Sequence, residues 1–409
     1  MKLDYLNNEN SQFKAACGFI FGGSATIGIL NAGYNVDRVL EMTDDMAELN
    51  AYHFVRNFSI PLVKPSEWEN DNYLSEIKAN KYNLMMFNPP CSSLSAINRN
   101  ASADGKNNVH FYRVYNIINK VEPDTFLIEN APTLIKLGYP ILKDLTHILG
   151  HKYRFTIVRD YASNHNVAMR RMRTFVIGWH RDRFDKIPLL HADIQPQYTL
   201  KDCIGDLYDA PLDPSYNHVT LIEKQLTKYE NLFHLVPQGN SALKSFIKHF
   251  DTIKHQLDDK DVKYIERIME TMKKKDNIWD KTPYRPLENG YAPSMTSVTQ
   301  IIHPVNNRNF TIREYARLMN YPDDFILHEG CKVPVIQCLA QGVPANFIKY
   351  IAGEIKEALQ GNREFIEDSE DKILNFQHHT KMTYETFSQE QIDELTELDS
   401  TANSSKLEQ

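Results

Sequence analysis

The chain has 409 residues, 42% hydrophobic and 24% charged, with a formal net charge of -7. That length allows one large domain with a sizeable core plus a smaller second lobe, and the composition is ordinary for a soluble globular protein. No apolar run is long enough to span a bilayer, the opening MKLDYLNNENSQF is too polar for a signal peptide, and a cytoplasmic protein without a membrane partner is expected. The charge balance neither demands nor excludes a nucleic-acid partner, which would need a local basic face.

In chain order, CGFIFGG reads as a strand entering a Gly-rich turn, and SATIGILNAGY as a helix ending near Gly33. NVDRVLEM is the next strand, and TDDMAELNAYHF the next helix, capped by Thr43. YNLMMFN is a buried strand, VHFYRVYNIINKV an amphipathic helix and DTFLIEN another strand. LIKLGYPILKDLTHILG is expected to be helical but interrupted at Pro140, and YRFTIVRDY and RTFVIGWH form a late pair of strands. This alternation predicts an α/β domain with a mostly parallel sheet. Beyond Arg181 the text becomes loop-rich and then charged and helix-like, so residues 206–293 are assigned to a second, smaller lobe. Residues 11–205 then form the first part of the main domain and 294–365 its completion through late helices, while 377–409 is expected to be a polar, acidic, disordered tail with a short helix.

The five cysteines, Cys17, Cys91, Cys203, Cys331 and Cys338, are scattered, with no CxxC pair and no zinc-type spacing. Reduced thiols, no disulfide framework and no metal are expected.

Four places carry chemistry. The turn FIFGGSATIG follows a strand, and Glu41 ends the next, the arrangement that brings backbone and a carboxylate to an adenosine cofactor; alone it reads first as a plain strand-to-helix turn. In NPPCSSLS the prolines stiffen the exit of a buried strand and place Cys91 where ligands sit in α/β folds; alone, a buried structural cysteine is the commoner outcome. Glu129 and Asn130 end the strand of FLIENAP, where poor solvation raises a carboxyl pKa; a helix-capping acid is the competing reading. Arg171 and Arg173, two apart entering a strand, share a face and suit an anion or a carbonyl oxygen; alone, a solvated basic edge explains them.

Together these residues resemble the DNA (cytosine-5)-methyltransferase family. Its Pro-Pro-Cys matches Pro89, Pro90 and Cys91, its Glu-Asn-Val matches Glu129 and Asn130 with Ala131, and its Gln-x-Arg-x-Arg matches Arg171 and Arg173 with Met169 for Gln. YTLKDCIGDL, YAPSMTSVTQIIHP, RNFTIREYARLMNYPDDF and AQGVPANFIKYIAGEI follow in family order, so the resemblance spans roughly residues 19–359. Departures gather at the cofactor motifs. The family's F-x-G-x-G-G reads Phe19, Ile20, Phe21, Gly22, Gly23, Ser24; the usual Asp after Glu41 is Thr43; and the final Gly-Asn is Ala340, Gln341. No residue between Ser59 and Asp71 is identified as the acid that meets the adenine amino group.

The resemblance implies a Rossmann-like catalytic domain with a target-recognition domain, acting on double-stranded DNA with S-adenosylmethionine or a close analogue. It implies Cys91 as nucleophile on a flipped cytosine, with Glu129, Arg173, Arg171 and Asn130 in support. Phe19, Gly22, Gly23, Ser24, Glu41, Met42, Asn88, Pro89, Gln341 and Val343 would line the cofactor site. Ser92, Ser95 and Arg99 on the loop after Cys91, with Lys281, Arg285 and Trp279 in the second lobe, would touch DNA. A monomer in the cytoplasm of a prokaryote or encoded by a phage, associated with the nucleoid and possessing a separate cognate restriction endonuclease, is the implied setting. A modified donor, a catalytically silent DNA-binding relative and an RNA substrate stay open as alternatives.

Overall fold

The computed structural model describes residues 2–49, 51–94, 100–191, 194–220, 229–273, 282–296, 300–328, 335–367 and 374–378. Among them the strands are, in chain order, β1 (Lys14–Gly18), β2 (Asn35–Leu40), β3 (Leu62–Val63), β4 (Leu84–Phe87), β5 (Thr125–Asn130), β6 (Tyr153–Tyr161), β7 (Met169–Arg170), β8 (Met172–His180), β9 (Asn240–Ser241), β10 (Tyr284–Arg285), β11 (Ala292–Pro293) and β12 (Leu374–His378). The main sheet runs β12-β6-β8-β5-β4-β1-β2-β3. Every neighbouring pair is parallel except those of β8 with β5 and β6.

Every residue of β4 and β5 is buried, as expected for parallel strands covered on both faces. Alternation along β4 feeds two cores. Leu84 and Met86 join Ile27 and Leu30 of the Ser24–Asn31 helix and Ile348, Ile351 and Ile355 of the Ala345–Leu359 helix. Met85 and Phe87 join Val114 and Ile118 of the Val109–Val121 helix and Leu142 and Leu145 of the Tyr139–Leu149 helix. The result is a helix–sheet–helix sandwich, the α/β architecture that the alternating strands and helices predict.

A third, smaller core gathers Leu232, Phe233, Val236, Leu243, Phe246, Ile253, Ile265 and Ile268, and Ile302 joins it from beyond residue 293. The charged Asp259–Met272 helix supplies two of these. Asp258 caps it by accepting from the Asp261 N–H, and its other faces carry the charge.

Three local expectations are corrected. Pro140 lies in the first turn of the Tyr139–Leu149 helix and starts it rather than interrupting it. The helix expected after Thr43 is two short ones, Asp44–Leu49 and Tyr52–Asn57. The chain also returns to the sheet as β12, pairing Leu374–His378 with Phe155–Arg159, so Gln377 and His378 are strand rather than disordered tail; the rest of that tail lies outside the described residues.

The topology matters for chemistry because parallel strands end at one edge. Gly18, Phe87 and Asn130 finish β1, β4 and β5 there, and antiparallel β8 begins there with Met172 and Arg173.

Candidate active site

Asn88 leaves β4 with its backbone N–H donating to the Gly18 carbonyl, 3.2 Å away. The prolines carry the chain outward, and Asn130 Nδ2 donates to the Pro89 carbonyl at 3.0 Å. Asn130 Oδ1 accepts the Ala131 N–H at 2.9 Å, so one buried amide joins the Pro-Pro-Cys turn to the end of β5. A Leu94 N–H to Cys91 carbonyl bond of 2.9 Å closes the turn, and the Thr133 hydroxyl donates to the Leu94 carbonyl. Cys91 is half-buried, whereas Cys17, Cys203 and Cys338 are buried. Of the described thiols it is therefore the accessible one, which removes the buried structural reading.

Beside it, Glu129 is 3% exposed. Burial pushes its carboxyl above the ordinary range, opposed by Arg173 and Arg171. Arg173 Nε lies 2.7 Å from Glu129 Oε1, a close ion pair whose N–H is not aligned on that oxygen. Arg171 is also buried, and its Nη1 donates to the Met295 carbonyl at 2.7 Å while Nη2 donates to the Ala340 and Gly342 carbonyls at 2.8 Å each. From the junction of β7 and β8 it staples the chain to two segments far along it and shares the electrostatic field of Cys91 and Glu129. Burial and the neighbouring Arg173 lower its pKa. Met169, which stands where the family has Gln, is buried in β7, and its sulfur accepts the Met295 N–H at 3.2 Å.

The Gly-rich turn follows β1. Phe19 and Phe21 both take positive φ, 61° and 51°, a conformation that glycine adopts freely and other residues adopt at a cost. Phe21 stands where the family pattern has a glycine, so the backbone shape persists without it. The Phe19 ring lies 6.0 Å from Phe87 and 6.3 Å from His110. Glu41 is buried, with Oε1 accepting the Ile20 N–H and Oε2 the Met42 N–H at 3.1 Å each. Burial outweighs those bonds and raises its pKa to about 7. Ser24, Asn88 and Gln341 carry buried side-chain atoms without an aligned partner, namely Ser24 Oγ, Asn88 Nδ2 and Gln341 Oε1. Gly22, Gly23, Met42 and Pro89 are buried too, and Val343 is part of the core.

Sequence reasoning passed over several residues. Trp68 Nε1 donates to the Glu41 carbonyl at 2.8 Å. Arg113 donates to the Met42 carbonyl, pairs with Glu69 and lies 5.1 Å over the Trp68 ring. Glu67 accepts the Lys64 N–H at 2.9 Å, so both acids that flank Trp68, Glu67 and Glu69, are engaged within the protein. Tyr321, inside RLMNYPDDF, reaches the Gly-rich turn.

The DNA-contact expectations fare differently. Arg285 is 4% exposed. Its guanidinium donates to the carbonyls of Phe233, His303, Pro304 and Asn306 and to Asn307 Oδ1. It is a buried staple of the small lobe, not a free DNA contact, because five acceptors from two segments, Phe233 and residues 303–307, already hold it. Ser92 is exposed, and its hydroxyl accepts from Asn107 Nδ2 at 2.6 Å. Ser95, Arg99, Trp279 and Lys281 lie outside the described residues. Among the described residues no cluster of metal-ligating side chains occurs, and no helix is long and apolar enough to cross a membrane.

The chain resembles known proteins along most of its length. It is 23% identical over 361 residues to the type II methyltransferase M.MthTI of Methanothermobacter thermautotrophicus, covering 84% of this chain and 97% of that protein. It is 23% identical over 332 residues to M.DdeI of Desulfomicrobium norvegicum, covering 74% of this chain and 77% of that protein. A DNA modification methyltransferase encoded within an E. coli prophage superposes with a TM-score of 0.58 at 20% identity, over 85% of this chain and 100% of the other. The Entamoeba histolytica methyltransferase EhMeth shares the fold at a TM-score of 0.53 and 13% identity, over 85% of this chain and 99% of the other. The family model of the C-5 cytosine-specific DNA methylases matches residues 23–357, and with the thiol, carboxyl and paired guanidinium groups gathered at one sheet edge, the chain belongs to that family of DNA (cytosine-5)-methyltransferases.

Proposed function

We propose that Cys91 is the nucleophile of this sequence-specific cytosine-5 methyltransferase and that Glu129 and Arg173 activate the base. One observation carries the reading: the accessible thiol and the buried carboxyl sit at adjacent strand ends, tied by the Asn130–Pro89 hydrogen bond. Carbon 5 of cytosine is a weak nucleophile. Addition of the Cys91 thiolate to carbon 6 makes the ring an enamine, with electron density at carbon 5. Glu129, whose carboxyl burial pushes above the ordinary range, hydrogen-bonds or protonates ring nitrogen 3 and takes up the charge that addition creates. Arg173 holds Glu129 in place and faces the base carbonyl oxygen. Arg171 and Asn130 fix the backbone that carries these groups. After transfer, loss of the carbon 5 proton and expulsion of the Cys91 thiolate restore the aromatic ring. None of these groups reaches a stacked base, so the cytosine is flipped out of double-stranded DNA.

S-adenosylmethionine, when bound, supplies a methyl group made electrophilic by its sulfonium. The residues at the turn fit such a ligand. Each Glu41 oxygen holds one backbone N–H and keeps a lone pair for a ribose hydroxyl. The helix beginning at Ser24 has first-turn N–H groups that lack intrahelical acceptors. Buried polar atoms without partners, Ser24 Oγ, Asn88 Nδ2 and Gln341 Oε1, are what a polar ligand satisfies. Phe19, Met42 and the Trp68–Arg113 wall offer apolar and stacking surface.

The lobe centred on residues 232–268 is assigned to target recognition, with residues 11–205 and 294–365 as the catalytic domain. The type II names of the relatives support a cognate restriction endonuclease acting separately in a prokaryotic cytoplasm. The test is nucleoside mass spectrometry of duplex DNA incubated with S-adenosylmethionine and the enzyme. Cytosine heavier by one methyl group, absent with Cys91→Ala, is expected. Methylated cytosine from Cys91→Ala would end the proposal, and a heavier added group would point to a modified donor.

A further inference from the structure

The first turn of the Ser24–Asn31 helix meets two segments remote in sequence: the residues after the Ile312–Leu318 helix and those after the Val335–Gln341 helix. A Cβ on Gly22 would lie 2.6 Å from the Tyr321 hydroxyl oxygen, and a Cβ on Gly342 would lie 2.4 Å from Ser24 Oγ. Both are far inside van der Waals contact, so each hydroxyl fills the space of a missing side chain. Ser24 stands where the family pattern has glycine, and Gly342 makes the room for its oxygen.

Ser24 is fully buried and Tyr321 is 3% exposed. The Tyr321 hydroxyl sits beside both the hydroxyl and the backbone of Ser24, yet neither hydroxyl has an aligned hydrogen-bond partner. Unsatisfied buried hydroxyls are rare and call for an explanation. The contact also continues toward the base site, since the Gly342 carbonyl accepts from Arg171. The pair is therefore wedged between the glycine turn on one side and the Arg171 staple on the other.

We infer that Tyr321 and Ser24 are positioning residues for the methyl donor: their hydroxyls, seated against Gly22 and Gly342, set where the Gly-rich turn and first helical turn present their N–H groups. The inference rests on the reading of that turn as the donor site. Displaced N–H groups hold the donor less tightly, and Tyr321 acts through the turn without touching the reacting atoms.

The experiment is calorimetric binding of S-adenosylhomocysteine to the full chain, with donor KM, kcat and melting temperature on the same proteins. Tyr321→Phe removes the hydroxyl seated against Gly22 and Ser24 and is expected to weaken binding about 5- to 30-fold as the turn shifts. Donor KM should rise by the same factor while kcat stays within about twofold. Gly342→Ala is expected to weaken binding at least as much, and Ser24→Gly in that background to recover most of the loss, a reciprocal effect of contacting residues. A lowered melting temperature with unchanged affinity and KM in Tyr321→Phe would overturn the inference. So would failure of Ser24→Gly to rescue a folded Gly342→Ala. If the unaltered protein binds no S-adenosylhomocysteine, the donor-site reading itself falls, an outcome distinct from unaltered protein binding well and Tyr321→Phe binding equally.

Discussion

The edge where β4, β5 and β8 meet and the turn after β1 answer the same demand in different ways. At the first, the family's Cys, Glu, Asn and Arg pair are kept and the hydrogen bonds close on themselves: Asn130 holds Pro89, and Arg171 holds Met295, Ala340 and Gly342. At the second, side chains have changed while the backbone course persists. Phe21 holds a positive φ without glycine, and Ser24 is matched by an absent side chain at residue 342. Covalent chemistry fixes which atoms must be present. Binding a donor fixes a shape, which different residues can frame.

Substitutions can break that contrast. The largest effect is expected at Glu129. Glu129→Gln keeps the shape but removes the transferable proton, and kcat should fall about 10²- to 10⁴-fold, with donor affinity measured by calorimetry unchanged. A similar loss of affinity would merge the two regions into one site. Arg171→Met comes next, leaving three buried carbonyls without their donor, and should cost about 3–5 kcal/mol of stability in denaturant titration. Asn130→Ala should cost about 1–3 kcal/mol and lower kcat more than donor affinity, because it frees the Cys91 turn and leaves the Gly-rich turn in place.

A different kind of effect is a pH dependence at the donor side. Glu41 has its pKa raised from 4.5 to about 7 in the fold. A raised carboxyl pKa means the fold binds the proton more tightly than the unfolded chain. Its contribution to stability is therefore fully present below pH 4.5 and is lost as pH rises through about 7. Denaturant titrations of the ligand-free protein across that window should show the decline, and Glu41→Gln should flatten it. A decline of equal slope in Glu41→Gln would assign it to another group.

Much of this was legible in the sequence, for physical reasons. Buried parallel strands are continuous apolar runs, so YNLMMF and DTFLIE announced the sheet and placed Cys91 and Glu129 at its edge. Arg285 was not legible. Its loop-rich, basic surroundings read as a DNA-facing surface, while the carbonyls that surround it come from Phe233 and from residues 303–306. Tyr321 and Gly342 were hidden in the same way, since what matters is the space each shares with a residue some 300 positions earlier. The strand β12 was missed because five residues flanked by polar text carry too little pattern to separate from a tail.

The central claim is that Cys91 bonds to the flipped cytosine, and trapping that bond tests it most directly. A duplex bearing 5-fluorocytosine at the target position cannot lose a proton from carbon 5, so the adduct should persist once the methyl group has been transferred. The account predicts a stable protein–DNA complex whose digest carries the nucleotide on the Cys91 peptide, absent in Cys91→Ala. Methylation of normal DNA with no adduct at Cys91, or an adduct on a different residue, would contradict it.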